Sequence, residues 1–371
     1  MFRQNIFRLA PNRIWRTYLG GRQLDGIEGR RHPSDGPFPE DWIGSTVRAM
    51  NPESIRNDEG LTRVSVDGSE VLLVDLIAAD PSYFLGPQHV ANFGTDPCLL
   101  VKYLDSSVRL PFQVHPTNDF ARTRLKSEHG KSEAYYVLAT RPEVLEPFIY
   151  LGFQRPPTRD EFRRMIVEQD IAAMERCFDR IPACPGDVFV VPGGIPHAIG
   201  PGIFLVELME PTDFVARVEF QCAGRVIPQS ARFMGYDVDF ALDMISFKAQ
   251  PSNVAKNCWR FEPRVAGRLS DSGAPREALL LRRQTDRFRL FRTALRGQQI
   301  WRPQGYTILL VIDGACTVVC GATMTVLKRY DRALIPFGLK EALVEAPNGV
   351  VFLECLPPET GVEAISKRSS G

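Results

Sequence analysis

The sequence predicts a mainly β protein of two jelly-roll β-barrels with one small helical insert. Three observations predict it. Short runs of β-branched and aromatic residues recur between Gly and Pro turns, at the density of a sandwich or barrel. A turn, a strand of about four residues and a proline occur in that order twice. Pro185-Gly186-Asp187 leads to Pro192, and Arg329-Tyr330-Asp331 leads to Pro336, which suits a strand turning a barrel corner. The one strong helical signal is confined to about 158–180.

In order, the expected strands of the first barrel are 70–77, 99–104, 110–115, 131–138, 187–191 and 202–208. Thr158 and Glu161 form a capping box, and Phe162, Met165 and Ile166 follow at helical spacing. A second short helix is expected over 171–177. The pattern then weakens, which places a connecting segment at 246–285 between a domain at 1–245 and a second barrel at 286–371. The second barrel is expected to hold strands at 308–312, 316–319, 324–327, 333–335 and 350–355, with turns at Asp313-Gly314 and Gly321.

Composition narrows the function classes. A chain of 371 residues with 44% hydrophobic and 24% charged residues is ordinary globular protein of about two domains. A net charge of +1, with both signs interleaved, gives no basic face for nucleic acid. No apolar run approaches the roughly 20 residues that cross a bilayer; the run 71–79 is short and interrupted by Asp75. The basic stretch 1–16 lacks the apolar core of a secretory signal, so the expected location is cytoplasmic. Eight cysteines carry no paired metal spacing. Cys316 and Cys320 share one strand face and are read as packing residues, and all eight are expected as thiols.

The candidate chemistry lies in three segments. Gln113 and His115 are two apart on a strand and share a face; so do Lys131, Glu133 and Tyr135. His197 follows the stiff turn Pro192-Gly193-Gly194-Ile195-Pro196. Two imidazoles, a carboxylate and an amide oxygen suit zinc, and also manganese or iron(II). Periodicity alone leaves a solvated polar ladder as an equal alternative. His32, His89 and His129 end no clear strand beside another donor and are read as ordinary histidines.

The segments Gln113-Val114-His115-Pro116, Gly130-Lys131-Ser132-Glu133 and 186–198 together resemble the type I mannose-6-phosphate isomerases, in particular their shorter bacterial forms. The resemblance continues through Val206-Glu207-Leu208 and 212–217, and upstream to 12–15, 42–46 and 100–105. It covers about 12–220 and is weaker in the second barrel. It implies a double cupin fold, with one zinc per chain on Gln113, His115, Glu133 and His197, and no metal site in the second barrel. It also implies Arg217 and Lys131 as active-site residues, and interconversion of mannose 6-phosphate and fructose 6-phosphate through a cis-enediol. The sequence departs from the usual pattern at Pro111-Phe112 and at Gly194-Ile195-Pro196, and neither change removes a donor.

Lys131 is the first candidate for the general base or a phosphate contact, with Asp213 and Glu207 as alternatives. Arg217 suits an enediolate oxygen or a phosphate. Trp15, with Arg13, Arg16 and Arg22 near it, is a candidate for the sugar end or a phosphate contact, with core packing the alternative for Trp15, and for Lys102 a pairing with Asp105 is an equal alternative. Two other functions stay open. One is a non-catalytic metal-binding cupin that senses or binds a sugar; the other is an isomerase of unphosphorylated mannose and fructose. An iron-dependent oxygenase is disfavoured by the Gln donor. Oligomeric state is not legible.

Overall fold

The computed structural model describes residues 6–51, 56–250, 260–261 and 276–360. Most of the expected connecting segment at 246–285 therefore lies outside the described residues. The fold is mainly β and antiparallel, with three large sheets.

The first sheet runs in the order Val188–Val191, Glu133–Thr140, Ile203–Met209, Leu100–Asp105, Glu40–Ile43 and Arg13–Ile14, with Arg260–Phe261 at its other edge. The second is Ile181–Pro182, Phe148–Leu151, His197–Ile199, Gln113–Val114 and Ala216–Arg217. Strand alternation decides what each face buries. Leu104, Tyr135, Val137, Phe189 and Leu205 of the first sheet pack with Ile149, Leu151 and Ile199 of the second, which makes the interior of a jelly-roll barrel. The intervening residues Val101, Tyr103, Tyr136, Val188 and Val206 point the other way, onto Leu290, Ile308, Leu310 and Leu353 of the C-terminal strands. Covered on both faces, its strands read as largely apolar runs, broken on the inner face by Glu40, Lys102, Glu133 and Glu207.

The outer face of the second sheet is covered by the helical insert. Thr158 caps the helix Arg159–Glu168 with the reciprocal Glu161 bond expected from the sequence. Phe162, Ile166 and Met174 pack on Val114, Tyr150 and Ala198. Phe112 belongs to this layer: its ring stacks on Phe178 with centroids 4.7 Å apart. The aromatic at this unusual position thus anchors the insert.

The third sheet collects Arg276–Leu280, Arg289–Trp301, Ala342–Leu356, Thr307–Cys320 and Arg332–Ile335, with Thr323–Lys328 paired to Thr307–Cys320. The N-terminal strand Phe7–Arg8 adds to its edge beside Arg332–Ile335. Cys316 and Cys320 are both buried in the interior of this unit, the packing role expected of them.

Three local expectations are corrected. The turn at Asp313-Gly314 is a bulge within one long strand, because the ladder to Ala342–Leu356 resumes on either side of it. Residues 70–77 are not one strand: Ser69–Leu72 closes a hairpin and Leu73–Ala79 is helical. Leu73, Leu76 and Ile77 are buried at spacings of three and four, a helical period that a short apolar run does not distinguish from a buried strand. Of 110–115, only Gln113–Val114 joins a ladder; Pro111 has no N–H to contribute. No helix among the described residues is long and apolar enough to cross a membrane.

Candidate metal centre

The second sheet sets the centre out through its register. Gln113 is paired across the ladder with His197 on one side and Arg217 on the other. Glu133 opens its strand in the facing sheet, between Val191 and Met209. His115 follows directly after Val114. Three loops that carry these residues are knitted at Pro116. Its carbonyl accepts from Lys131 N at 3.0 Å, and the His115 carbonyl accepts from Gly194 N at 2.7 Å. A Cβ at Gly130 or Gly193 would stand 2.4 or 2.5 Å from the Pro116 oxygen. Only glycine lets both loops approach so closely, which gives the Gly-Lys-Ser-Glu and Pro-Gly-Gly segments a physical reason.

The two imidazoles are fixed in one tautomer. His115 Nδ1 lies 2.8 Å from the Phe214 carbonyl and His197 Nδ1 lies 2.9 Å from the Ile195 carbonyl. A carbonyl only accepts, so each Nδ1 carries the proton and each Nε2 presents a lone pair. Both lone pairs face Glu133: His115 Nε2 is 3.0 Å from Oε1 and His197 Nε2 is 3.6 Å from Oε2. The buried His115 Nε2 has no hydrogen-bond partner among the described residues. The Gln113 amide completes the group, 3.3 Å from His197 Nε2.

Electrostatics keep these atoms as acceptors. Burial pulls His115 down to about 3 against the opposing pull of Glu133, and lowers His197 in the same way. Burial opposes ionisation of Glu133 too, but its carboxyl is held well below its usual range with the charge of Lys131 beside it. Tyr135 donates to Glu133 Oε2 at 2.5 Å, and Lys131 Nζ stands 3.2 Å from Oε1. Buried lone pairs turned onto a carboxylate lack a positive charge at their centre, and a divalent metal ion fits that need.

Beside the donors lies a small pocket lined largely by charged and polar side chains. Four cations line it, Arg16, Lys102, Lys131 and Arg217, and so do four acids, Glu40, Glu133, Glu207 and Asp213. Arg16 holds Glu40 through Nε at 3.0 Å and Asp213 through two contacts of 3.2 Å. Burial would raise Asp213, but Arg16 and Lys131 hold it below the usual range. Glu207 goes the other way: burial, then the charge of Glu133, push it up to about 8. Four acids thus face four cations, and the upward shift of Glu207 tilts that balance toward positive charge. Arg217 donates to the Ala231 carbonyl at 2.7 Å; burial pulls its guanidinium down to about 10, so it stays charged at neutral pH.

The structure thus brings Gln113, His115, Glu133, His197, Lys131, Glu207, Asp213 and Arg217 together. Trp15 is half-buried and is not among the residues lining the cavity; its neighbour Arg16 is. Arg13 pairs with Asp25 and Glu28, and Arg22 with Glu143. Lys102 does not pair with Asp105, which is held by Arg141 at 2.9 Å. Lys102 Nζ instead lies 3.0 Å from Glu207 and 3.5 Å from Glu40. Residues three apart on a strand point to opposite faces, so the alternation already argued against the Asp105 pairing. Glu40 and Tyr18, whose hydroxyl donates to Glu40 at 2.7 Å, were missed because nothing in their local sequence marks them. His129 was read as ordinary, yet lies beside Asp96 and Cys98, which its own loop sequence does not reveal.

No protein-family model matches the chain. It is 34% identical over 120 residues to a Bacillus subtilis protein named "Probable mannose-6-phosphate isomerase GmuF", a match spanning 32% of this chain and 36% of that relative. It is 27% identical over 244 residues to the mannose-6-phosphate isomerase of Streptococcus mutans, 65% of this chain and 69% of the relative. Among solved structures, the mannose 6-phosphate isomerase of Bacillus subtilis superposes with a TM-score of 0.69 at 19% identity, over 94% of this chain and 99% of the other. The chain is therefore similar in sequence to bacterial mannose-6-phosphate isomerases and shares the fold of their solved structures.

Proposed function

We propose that the protein is a metal-dependent aldose–ketose isomerase of the cytoplasm that interconverts mannose 6-phosphate and fructose 6-phosphate through a cis-enediol. The observation that carries this reading is the pair of buried imidazole lone pairs turned onto Glu133 at the edge of a cavity that four cations line. We assign Gln113, His115, Glu133 and His197 to zinc, with the Gln113 amide turned to offer its oxygen. Two imidazoles and a carboxylate suit zinc better than a hard ion, and manganese and iron(II) are the alternatives. When bound, zinc would supply Lewis-acid stabilisation of negative charge on the sugar oxygens.

The chain's own residues supply the rest. Arg217 keeps its charge, has no ion pair among the described residues, and orients the anionic end or the enediolate of the sugar. Arg217 and Lys131 are the cavity cations that favour a phosphorylated sugar over a neutral one, while Arg16 and Lys102 are engaged with Glu40, Asp213 and Glu207. Of the three base candidates, Asp213 is poorest, since Arg16 and Met50 N occupy its oxygens. Glu207, raised to about 8, titrates near the working pH, and with Lys131 it carries the proton between C1 and C2. The same reading places catalysis in 1–245 and leaves the barrel at 286–371 without a metal site.

A coupled assay of mannose 6-phosphate and of mannose, on zinc-loaded and chelator-treated protein, tests this. Metal-dependent turnover of the phosphorylated sugar is expected. Full turnover after metal removal overturns the isomerase reading. Tight metal binding with no turnover of either sugar moves the chain to the non-catalytic sugar-binding class.

A further inference from the structure

Away from the cavity, three side chains of different chemistry converge. Asp96 and Cys98 follow the helix Pro87–Phe93, and His129 lies in the loop leading to the strand Glu133–Thr140. One donor atom from each lies within 4.8 Å of the other two. Cys98 is buried and the other two are half-buried. His129 Nε2 is 2.9 Å from Asp96 Oδ2, while its Nδ1 faces Glu210 Oε1 at 3.8 Å. Glu210 is itself held, accepting from Asn118 Nδ2 at 2.7 Å and Ser132 N at 2.9 Å. Asp96 is held by Cys98 N at 2.7 Å, and His89 Nε2 bonds its carbonyl at 2.7 Å.

We propose that Asp96, Cys98 and His129 form a second metal site, separate from the His115–Glu133–His197 centre, that takes a borderline divalent ion such as zinc. An oxygen, a thiolate and an imidazole nitrogen are a zinc set, whereas magnesium and calcium call for oxygen alone. Three protein donors leave a fourth position for water. The second nitrogen of His129 is turned toward the fixed Glu210 carboxylate, the side from which metal-ligating imidazoles are oriented. A metal ion bound there displaces the imidazole and thiol protons.

Cobalt(II) loading of the chelator-treated full chain tests the site, because the His115–Glu133–His197 centre offers only nitrogen and oxygen. Two cobalt ions per chain are expected, with a thiolate-to-cobalt charge-transfer band in the near ultraviolet. Cys98→Ser abolishes the band and leaves one ion; His197→Ala loses the other ion and keeps the band. A wild-type spectrum without the band overturns the proposal, and so does a band that survives Cys98→Ser. The wild-type and His197→Ala spectra decide the matter even where Cys98→Ser folds poorly, and neither depends on any isomerase activity.

Discussion

His115 Nε2 and Glu133 Oε1 face each other at 3.0 Å, an acceptor against an acceptor, with the imidazole proton committed to the Phe214 carbonyl on the far side. Such a contact is unfavourable until a cation stands between the two atoms. Glu133→Ala or His197→Ala is therefore expected to abolish stoichiometric zinc binding, read by metal analysis after dialysis. Tyr135→Phe removes the hydroxyl that holds Glu133 Oε2 and leaves every donor in place. It is expected to weaken zinc binding by about 10–100-fold. An unchanged affinity in that variant would mean that Glu133 is positioned without Tyr135.

Arg217 presents a charge at the cavity that the described residues leave without an ion pair. Arg217→Ala is expected to lower kcat by roughly 10²–10³-fold if the guanidinium stabilises charge formed during the reaction. A rise in KM for mannose 6-phosphate with kcat unchanged assigns it to phosphate binding instead. Arg217→Lys tests the planar fork, since lysine keeps the charge and loses the two-point contact. Wild-type kinetics for Arg217→Ala would remove the residue from the site.

Glu207 makes a pH-dependent contribution whose sign is fixed. Its carboxyl rises from 4.5 to about 8 on folding, so between these values the folded chain binds one more proton than the unfolded chain. Stability then falls as pH rises through that window. In chelator-treated protein, the stability of wild type relative to Glu207→Gln is expected to decline from pH 5 to pH 8 in urea unfolding. The charge of Glu133 is part of the cause, so zinc loading should flatten the decline. A difference that grows with pH would reverse the assignment.

What the sequence made legible follows from the range of each interaction. Period-two alternation placed Gln113 beside His115 and Lys131 beside Glu133, because those neighbours are local. The capping box at Thr158 was equally plain, as both partners lie within one turn. Lys102 with Glu207, Arg16 with Asp213 and His129 with Asp96 are set by the pairing of distant strands and loops, and no local pattern carries them. The long bulged strand Thr307–Cys320 was cut in two for a related reason. Asp313-Gly314 has turn chemistry, and only the partner strand shows that the ladder continues.

The two barrels are joined by a buried ion pair, Arg332 Nη1 to Asp41 Oδ2 at 2.9 Å, with the side chains 5% and 1% exposed. Asp41 also accepts from Asn12 N at 2.7 Å, and Arg332 Nε donates to the Leu9 carbonyl at 3.3 Å. Removing one partner strands the other charge in the seam, which costs about 3–5 kcal/mol. Asp41→Ala is expected to lose that much in denaturant unfolding, whereas Thr158→Ala, which deletes only a helix cap, loses about 1 kcal/mol. The pair lies outside the cavity, so zinc stoichiometry in folded Asp41→Ala should match wild type. If the pair holds the two barrels as one cooperative unit, its loss should split the unfolding transition in two. A single transition at unchanged stability would show that the apolar seam of Tyr103, Phe204, Ile308 and Leu353 suffices without it.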